Sequence, residues 1–219
     1  MLKNIQSGIY AITPTSLRAD ELLNAVEDTL SSGIEIIQYR FDDCINFDER
    51  LKTATKLKKI CSDNNACFII NNDYLLAEYL GTGLHIGPDL EDLSFLLTSE
   101  NIEFIGLSCK SNISAQKNDS NNIFSYYSFG PAFYSQTKRS ERGEIDLKYV
   151  SENMDENSIN IAIGGINNTN LSQIKKSGFQ MAAICEGIYS DKTEIKTRSK
   201  QLLEIWNENW KLQGTIQKI

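Results

Sequence analysis

The sequence predicts an α/β fold, a (β/α)8 TIM barrel in a single domain over residues 1–219. Three observations predict it. Short apolar runs recur eight times along the chain. Most of them are continuous rather than alternating, as expected of strands buried on both faces. Helical patterns fall between them, and strand–helix alternation demands right-handed crossovers and a mostly parallel sheet. Eight such units in 219 residues favour closure into a barrel. An open doubly wound sheet is the competing architecture. It usually carries a Gly-rich turn after its first strand, where this chain has Thr13-Pro14-Thr15.

The runs are Gly8–Thr13, Ile34–Arg40, Cys67–Asn71, Gly83–Ile86, Phe104–Ser108, Phe124–Gly130, Asn160–Gly164 and Met181–Cys185. After the first, Leu22, Leu23, Val26 and Leu30 share one helical face behind a cap-type Asp20, and Gly33 is placed to stop the helix. Leu51, Ala54, Leu57 and Ile60 repeat the pattern, and Leu75, Leu76 and Tyr79 follow Asp73. Leu90, Leu93, Phe95 and Leu96 suggest a fourth helix. Leu171 and Ile174 follow Asn170 and end at Gly178. A last helix over about Thr193–Trp210 carries Ile195, Leu202, Ile205 and Trp206. The stretches after the fifth and sixth strands carry no clear helical signal.

Charge and composition narrow the partners. Asp and Glu outnumber Lys and Arg by 29 to 22, a net charge of −7. Such a surface repels nucleic acid and anionic membranes, and neither is expected as a partner. A small anionic ligand remains compatible, because backbone N–H groups and a local cation can override net charge at one site. No apolar stretch suits a signal peptide or a membrane span. The five cysteines show no Cys-x-x-Cys spacing, and their odd number reads as reduced thiols of a cytoplasmic protein. With His85 the single histidine, a multi-histidine metal site or a Ser-His-Asp triad has little to build on.

In a barrel the chemistry sits where strands end. Gln38 and Arg40 alternate on one strand and so point the same way, and an arginine there can grip a phosphate or carboxylate in bidentate fashion. Gly164-Gly165 suits a phosphate held by backbone N–H groups. Ser135, Gln136, Thr137 and Lys138 place hydroxyls and a cation after the sixth strand. His85, inside an apolar run, reads as a core histidine. Cys109 and Cys185 read as small apolar packing residues. Lys110 suits either a phosphate or Schiff-base lysine or an exposed loop.

Read in order, Gln38-Tyr39-Arg40, Phe68-Ile69-Ile70-Asn71, Gly83-Leu84-His85-Ile86-Gly87, Gly106-Leu107-Ser108, Gly130-Pro131, Ser135-Gln136-Thr137-Lys138 and Ile163-Gly164-Gly165-Ile166 resemble the thiamine-phosphate synthase family. The resemblance spans nearly the whole chain and implies the same barrel. It implies a transferase of thiamine biosynthesis that joins hydroxymethylpyrimidine diphosphate to thiazole phosphate and releases pyrophosphate. It implies that Gln38, Tyr39, Arg40, Asn71, Ser108 and Lys138 hold the pyrimidine diphosphate, with Arg40, Lys138 and Ser108 in the catalytic roles. Ser135, Gln136, Thr137, Gly164, Gly165, Ile184 and Cys185 would hold the thiazole phosphate. Mg2+ is the implied cofactor, phosphorylated small molecules the implied partners, and a homo-oligomer stays open.

The chain also departs from the family pattern. The lysine of the family's Gln-x-Arg-x-Lys is Asp42 here. The two positions that supply metal carboxylates are Asn72 and Leu90, with Asp73 and Asp89 one residue away. Asn72 and Asp89 are the candidate metal ligands. The serine typical after the eighth strand is Glu186. These departures admit two other expectations: a thiazole-tautomerase-like isomerase, whose members tend to carry a histidine where Lys110 stands, or a non-catalytic barrel that binds thiazole phosphate.

Overall fold

A computed structural model describes residues 8–87, 99–134 and 143–213, the last five as backbone. The expected helix through Leu90–Leu96 lies outside them, as do Asp89, Ser135, Gln136, Thr137 and Lys138.

Eight parallel strands close into a barrel in sequence order. They are β1 (Gly8–Ile12), β2 (Ile36–Tyr39), β3 (Cys67–Asn71), β4 (Gly83–Ile86), β5 (Phe104–Lys110), β6 (Tyr126–Phe129), β7 (Asn160–Ile163) and β8 (Met181–Ile184). β8 pairs with β1, from Gly8 beside Met181 to Ala11 beside Ile184, and this removes both sheet edges. The eight expected strands and the closed barrel are borne out.

The helices are α1 (Ala19–Ser31), α2 (Phe47–Asp63), α3 (Tyr74–Leu80), α4 (Ile113–Lys117), α5 (Leu147–Asn153), α6 (Leu171–Lys176), α7 (Glu186–Tyr189) and α8 (Ile195–Gln213). Short polar side chains start several of them. Asn46 accepts from the Glu49 N–H at 3.0 Å, and Asp73 and Asp146 do the same for Leu76 and Tyr149. At α1 the expected cap shifts: Asp20 lies in the first turn and the N-cap is Arg18. Helices do follow β5 and β6, but they are short, with Ile113 and then Leu147 and Val150 as their buried apolar residues.

Alternation along each strand divides the core in two. One set of side chains packs between strands and helices, among them Ile37, Tyr39, Ile70, Phe129 and Ile184 against Leu22, Val26, Leu57 and Ile174. The other set fills the barrel: Tyr10, Ile12, Ile36, Cys67, Ile69, Phe104, Tyr126, Ile161, Met181 and Ala183. Each fully buried Ile or Leu in either set contributes roughly 1.5–3 kcal/mol. No helix among the described residues is long and apolar enough to cross a membrane.

Candidate active site

The register shows which strand-end residues face the barrel axis. Gln38 lies beside Ile12 and Ile69, both interior, and so points inward. Asn71 and His85 are paired in register, and that row runs through Gly106 to the interior Tyr126. Ser108 pairs with Ser128, and Ser128 with the interior Ile161. Arg40 is two residues beyond Gln38, and Cys185 packs against the interior cluster.

Exposure follows the same geometry. Gln38 and Ser128 are 2% exposed, whereas Arg40, Asn71, Ser108, Gly164, Gly165 and Cys185 are half-buried. The half-buried residues stand at the C-terminal strand ends and form the barrel's mouth. The fully buried pair lies in the floor below it. Arg40 acts electrostatically on Cys185. Burial, opposed by Arg40 and reinforced by Glu186, pushes that thiol up to about 11, so it stays protonated at neutral pH.

Thr13 pins Arg40. Its Oγ1 accepts the Arg40 N–H at 2.9 Å and donates to the Arg40 carbonyl at 3.2 Å, while the Thr13 N–H donates to the Gln38 carbonyl at 2.9 Å. A buried threonine thus ties the end of β1 to the residue expected to grip the anion. In the sequence Thr13 stands only as the end of the first apolar run and the start of a turn without glycine.

Gly164 and Gly165 are packed under the segment after β6. Their φ angles are +96° and +67°, conformations that favour glycine. A Cβ on Gly164 would lie 2.8 Å from Pro131, and one on Gly165 within 2.6 Å of the Phe133 and Tyr134 carbonyl oxygens. The Ala132 N–H donates to the Ile163 carbonyl and the Phe133 N–H to the Gly164 carbonyl. The Pro131–Tyr134 segment is therefore seated on the diglycine.

Two expected binding residues turn their side chains away from the mouth. The side chains of Tyr39 and Ile184 belong to the layer between strands and helices, because each sits one residue from an inward-facing neighbour. Only their backbone groups can face the mouth. Tyr39 packs its ring on Phe41 instead, with centroids 5.2 Å apart.

Of the residues considered for metal binding, the described Asn72 and Asp73 have protein partners, and Asp89 lies outside the described residues. Asn72, at φ +59°, accepts the Gly87 N–H on its Oδ1 at 3.0 Å and so links the ends of β3 and β4. Asp73 caps α3 with Oδ1 and lies 2.8 Å from Arg50 Nη1 with Oδ2. Arg50 in turn stacks over Phe41 and Phe47. No cluster of three or more His, Cys, Asp or Glu suited to a metal ion occurs among the described residues. Lys110 ends β5 at φ +54°, where the register with β6 shifts.

Beneath the mouth lies a polar chain that sequence reading missed apart from its ends. Gln38 Nε2 donates to Tyr10 Oη at 2.5 Å, Tyr10 Oη lies 2.9 Å from Tyr126 Oη, and Tyr126 Oη lies 2.9 Å from His85 Nδ1. The His85 and Tyr126 rings stack at 5.5 Å with 9° between planes. Gly106 makes room for Tyr126: a Cβ there would lie 1.9 Å from the ring. Burial pulls His85 down to about 4, and burial raises the two tyrosines, so all three are neutral near pH 7. His85 is thus a satisfied interior histidine.

Fold and mouth together define a (β/α)8 barrel whose half-buried strand ends bring together an arginine, small polar groups and a diglycine, groups of the kind that suit an anion. A family model described as thiamine monophosphate synthase matches residues 9–188, and the chain belongs to that family. A thiamine-phosphate synthase of Chromobacterium violaceum is 30% identical over 196 residues, covering 88% of this chain and 93% of that protein. One from Prochlorococcus marinus is 31% identical over 211 residues, covering 93% of this chain but 57% of that protein, so this chain spans little more than half of it. Among solved structures, the thiamine phosphate pyrophosphorylase from Pyrococcus furiosus superposes with a TM-score of 0.79 at 19% identity, covering 95% of this chain and 98% of that one. That likeness extends the agreement to the fold.

Proposed function

We propose that this chain is a thiamine-phosphate synthase: it joins hydroxymethylpyrimidine diphosphate to thiazole phosphate, giving thiamine phosphate and pyrophosphate. The observation that carries the reading is the family match over residues 9–188, which runs through the strand ends that build the mouth. The synthase names of the relatives favour it over the isomerase and the non-catalytic barrel.

The chemistry suits such a mouth. The bond from the pyrimidine methylene to the diphosphate oxygen breaks, and the electron pair leaves with pyrophosphate. The ring shares the positive charge left on the methylene. The thiazole nitrogen then gives its lone pair to that carbon, forming the new C–N bond. No proton need move, so the protein's tasks are to align two ligands and to offset the leaving group's charge. In this proposal Arg40, held by Thr13, faces the diphosphate. Lys138 would add a second cation, and Ser108 and Asn71 would hold the pyrimidine end. The Gly164-Gly165 backbone, with Ser135, Gln136, Thr137 and Cys185, would receive the thiazole phosphate.

Mg2+ generally serves this family. Among the described residues its expected ligand region does not fit the ion: the Asn72 amide oxygen accepts from Gly87, and the Asp73 carboxylate is taken by Arg50 and the α3 cap. In this proposal charge compensation falls to Arg40 and Lys138. A cytoplasmic location fits a reduced-thiol biosynthetic enzyme of this kind.

The test is turnover of the two substrates, with thiamine phosphate read by fluorescence after oxidation, across a Mg2+ titration. Product formation by wild type, with kcat/KM about a hundredfold lower in Arg40→Ala, is the expected result. No product at any divalent-metal concentration would remove the synthase reading.

A further inference from the structure

The floor of the mouth contains a hydrogen-bond chain with a direction. An amide nitrogen can only donate, so Tyr10 Oη accepts from Gln38 Nε2. A continuous chain in this direction has Tyr10 donating to Tyr126 Oη, 2.9 Å away, and Tyr126 donating to His85 Nδ1, also 2.9 Å away, with the imidazole proton on Nε2. The opposite direction is equally complete on paper. A proton on His85 Nδ1 would reverse every bond and bring the Gln38 carbonyl oxygen to Tyr10. The histidine tautomer and the carboxamide orientation are therefore one variable. In the direction seen here, Nε2 is engaged by Tyr10 and Oε1 lies outside the chain.

Such a chain is costly where TIM barrels usually pack branched apolar residues. Burying hydroxyl, amide and imidazole groups together is tolerated because each finds a partner. The backbone is adapted to it as well, since Gly106 leaves the space that the Tyr126 ring occupies. We infer that Tyr10, Tyr126 and His85 are positioning residues: their chain sets which end of the Gln38 carboxamide faces the mouth, and so makes the site select a ring that donates a hydrogen bond over one that accepts it. This rests on the synthase reading, in which Gln38 meets the pyrimidine. The favoured ligand is then a pyrimidine with an exocyclic amine, and the disfavoured one carries an oxo group in its place.

Two measurements test it. His85 is the chain's single histidine, so in untagged protein its 15N spectrum is unambiguous. The Nε2–H tautomer is expected, and the Nδ1–H tautomer would overturn the inference. Tyr10→Phe keeps the ring and removes the link. It should raise KM for the aminopyrimidine diphosphate about tenfold, the value of one hydrogen bond. It should leave KM for thiazole phosphate unchanged and lower discrimination against the oxo analogue by a similar factor. Tyr126→Phe, which removes the hydroxyl between Tyr10 and His85, should lower discrimination in the same direction. Equal effects on both substrates, or full discrimination in folded Tyr10→Phe, would overturn it. Failure of wild type to turn over the pair would instead strike the synthase reading.

Discussion

Acidification should destabilise this protein through His85. The residue is 7% exposed inside the barrel, and burial lowers it from 6.5 to about 4. An unfolded chain therefore binds a proton near pH 6.5 that the folded chain refuses until about pH 4. Between those values the unfolded state holds more protons, so stability falls as pH falls. The full difference of about 2.5 pH units corresponds to roughly 3 kcal/mol, and about 2.5 kcal/mol of it should be lost by pH 4.5. Above pH 7 the contribution is complete and flat. The assay is urea unfolding followed by fluorescence of the buried Trp206, at steps from pH 7.5 to 4.5, on wild type and His85→Asn. Asparagine keeps an acceptor for Tyr126 but does not titrate. Surface carboxylates with lowered values, such as Asp42, Asp155 and Asp191, contribute equally to both proteins and cancel in the difference. The variant should start less stable at pH 7.5 and approach or pass wild type by pH 4.5. A difference between the two that stays constant across this range would show that His85 is not held neutral in the barrel.

Three other outcomes follow from the same geometry. Ser128 Oγ is buried in the floor with no hydrogen-bond partner, so Ser128→Ala should stabilise the fold by about 1 kcal/mol, a rise of roughly 2–4 °C in melting temperature; a fall would mean the hydroxyl has a partner after all. Gly106→Ala drives a methyl into the Tyr126 ring and should cost roughly 2 kcal/mol or more, read as a melting temperature lower by about 5 °C. Asp73→Asn keeps a capping side chain but leaves Arg50 without its anion, so urea unfolding should report a loss of about 1–3 kcal/mol, most of it retained at high salt because the pair is largely buried.

The barrel was legible because its strands are buried on both faces and so stand out as apolar runs. Three helices escaped, α4, α5 and α7; they are five, seven and four residues long, and none is followed by a stop glycine like Gly81 after α3 or Gly178 after α6. Part of the mouth was legible as well. Period-two alternation puts Gln38 and Arg40 on one side, and the register does turn Gln38 to the axis. The same rule turns Tyr39 and Ile184 the other way, so a contiguous motif need not be a contiguous site. What could not be read is contact made only by closure. Tyr10 and Tyr126 are 116 residues apart and meet across the barrel, and a tyrosine in an apolar run looks like any other core aromatic. The pairing of Arg50 with Asp73 is hidden in the same way, since each alone reads as a surface charge on a helix or loop.

The floor's chemistry bears on why its groups are neutral rather than charged. In the proposed reaction a leaving diphosphate would be stabilised by cations at the mouth, where Arg40 stands with its backbone held by Thr13. A charged imidazole below it would add a cation on the wrong side of the ligand, beneath the ring where positive charge develops on the methylene. Burial prevents this by keeping His85 unprotonated at neutral pH, while the tyrosine hydroxyls keep its nitrogen satisfied. The barrel can then present direction without charge at its floor and charge without depth at its rim. Strand order alone imposes that separation, because each step of two residues toward the C-terminal end moves a side chain about 6.6 Å nearer to water.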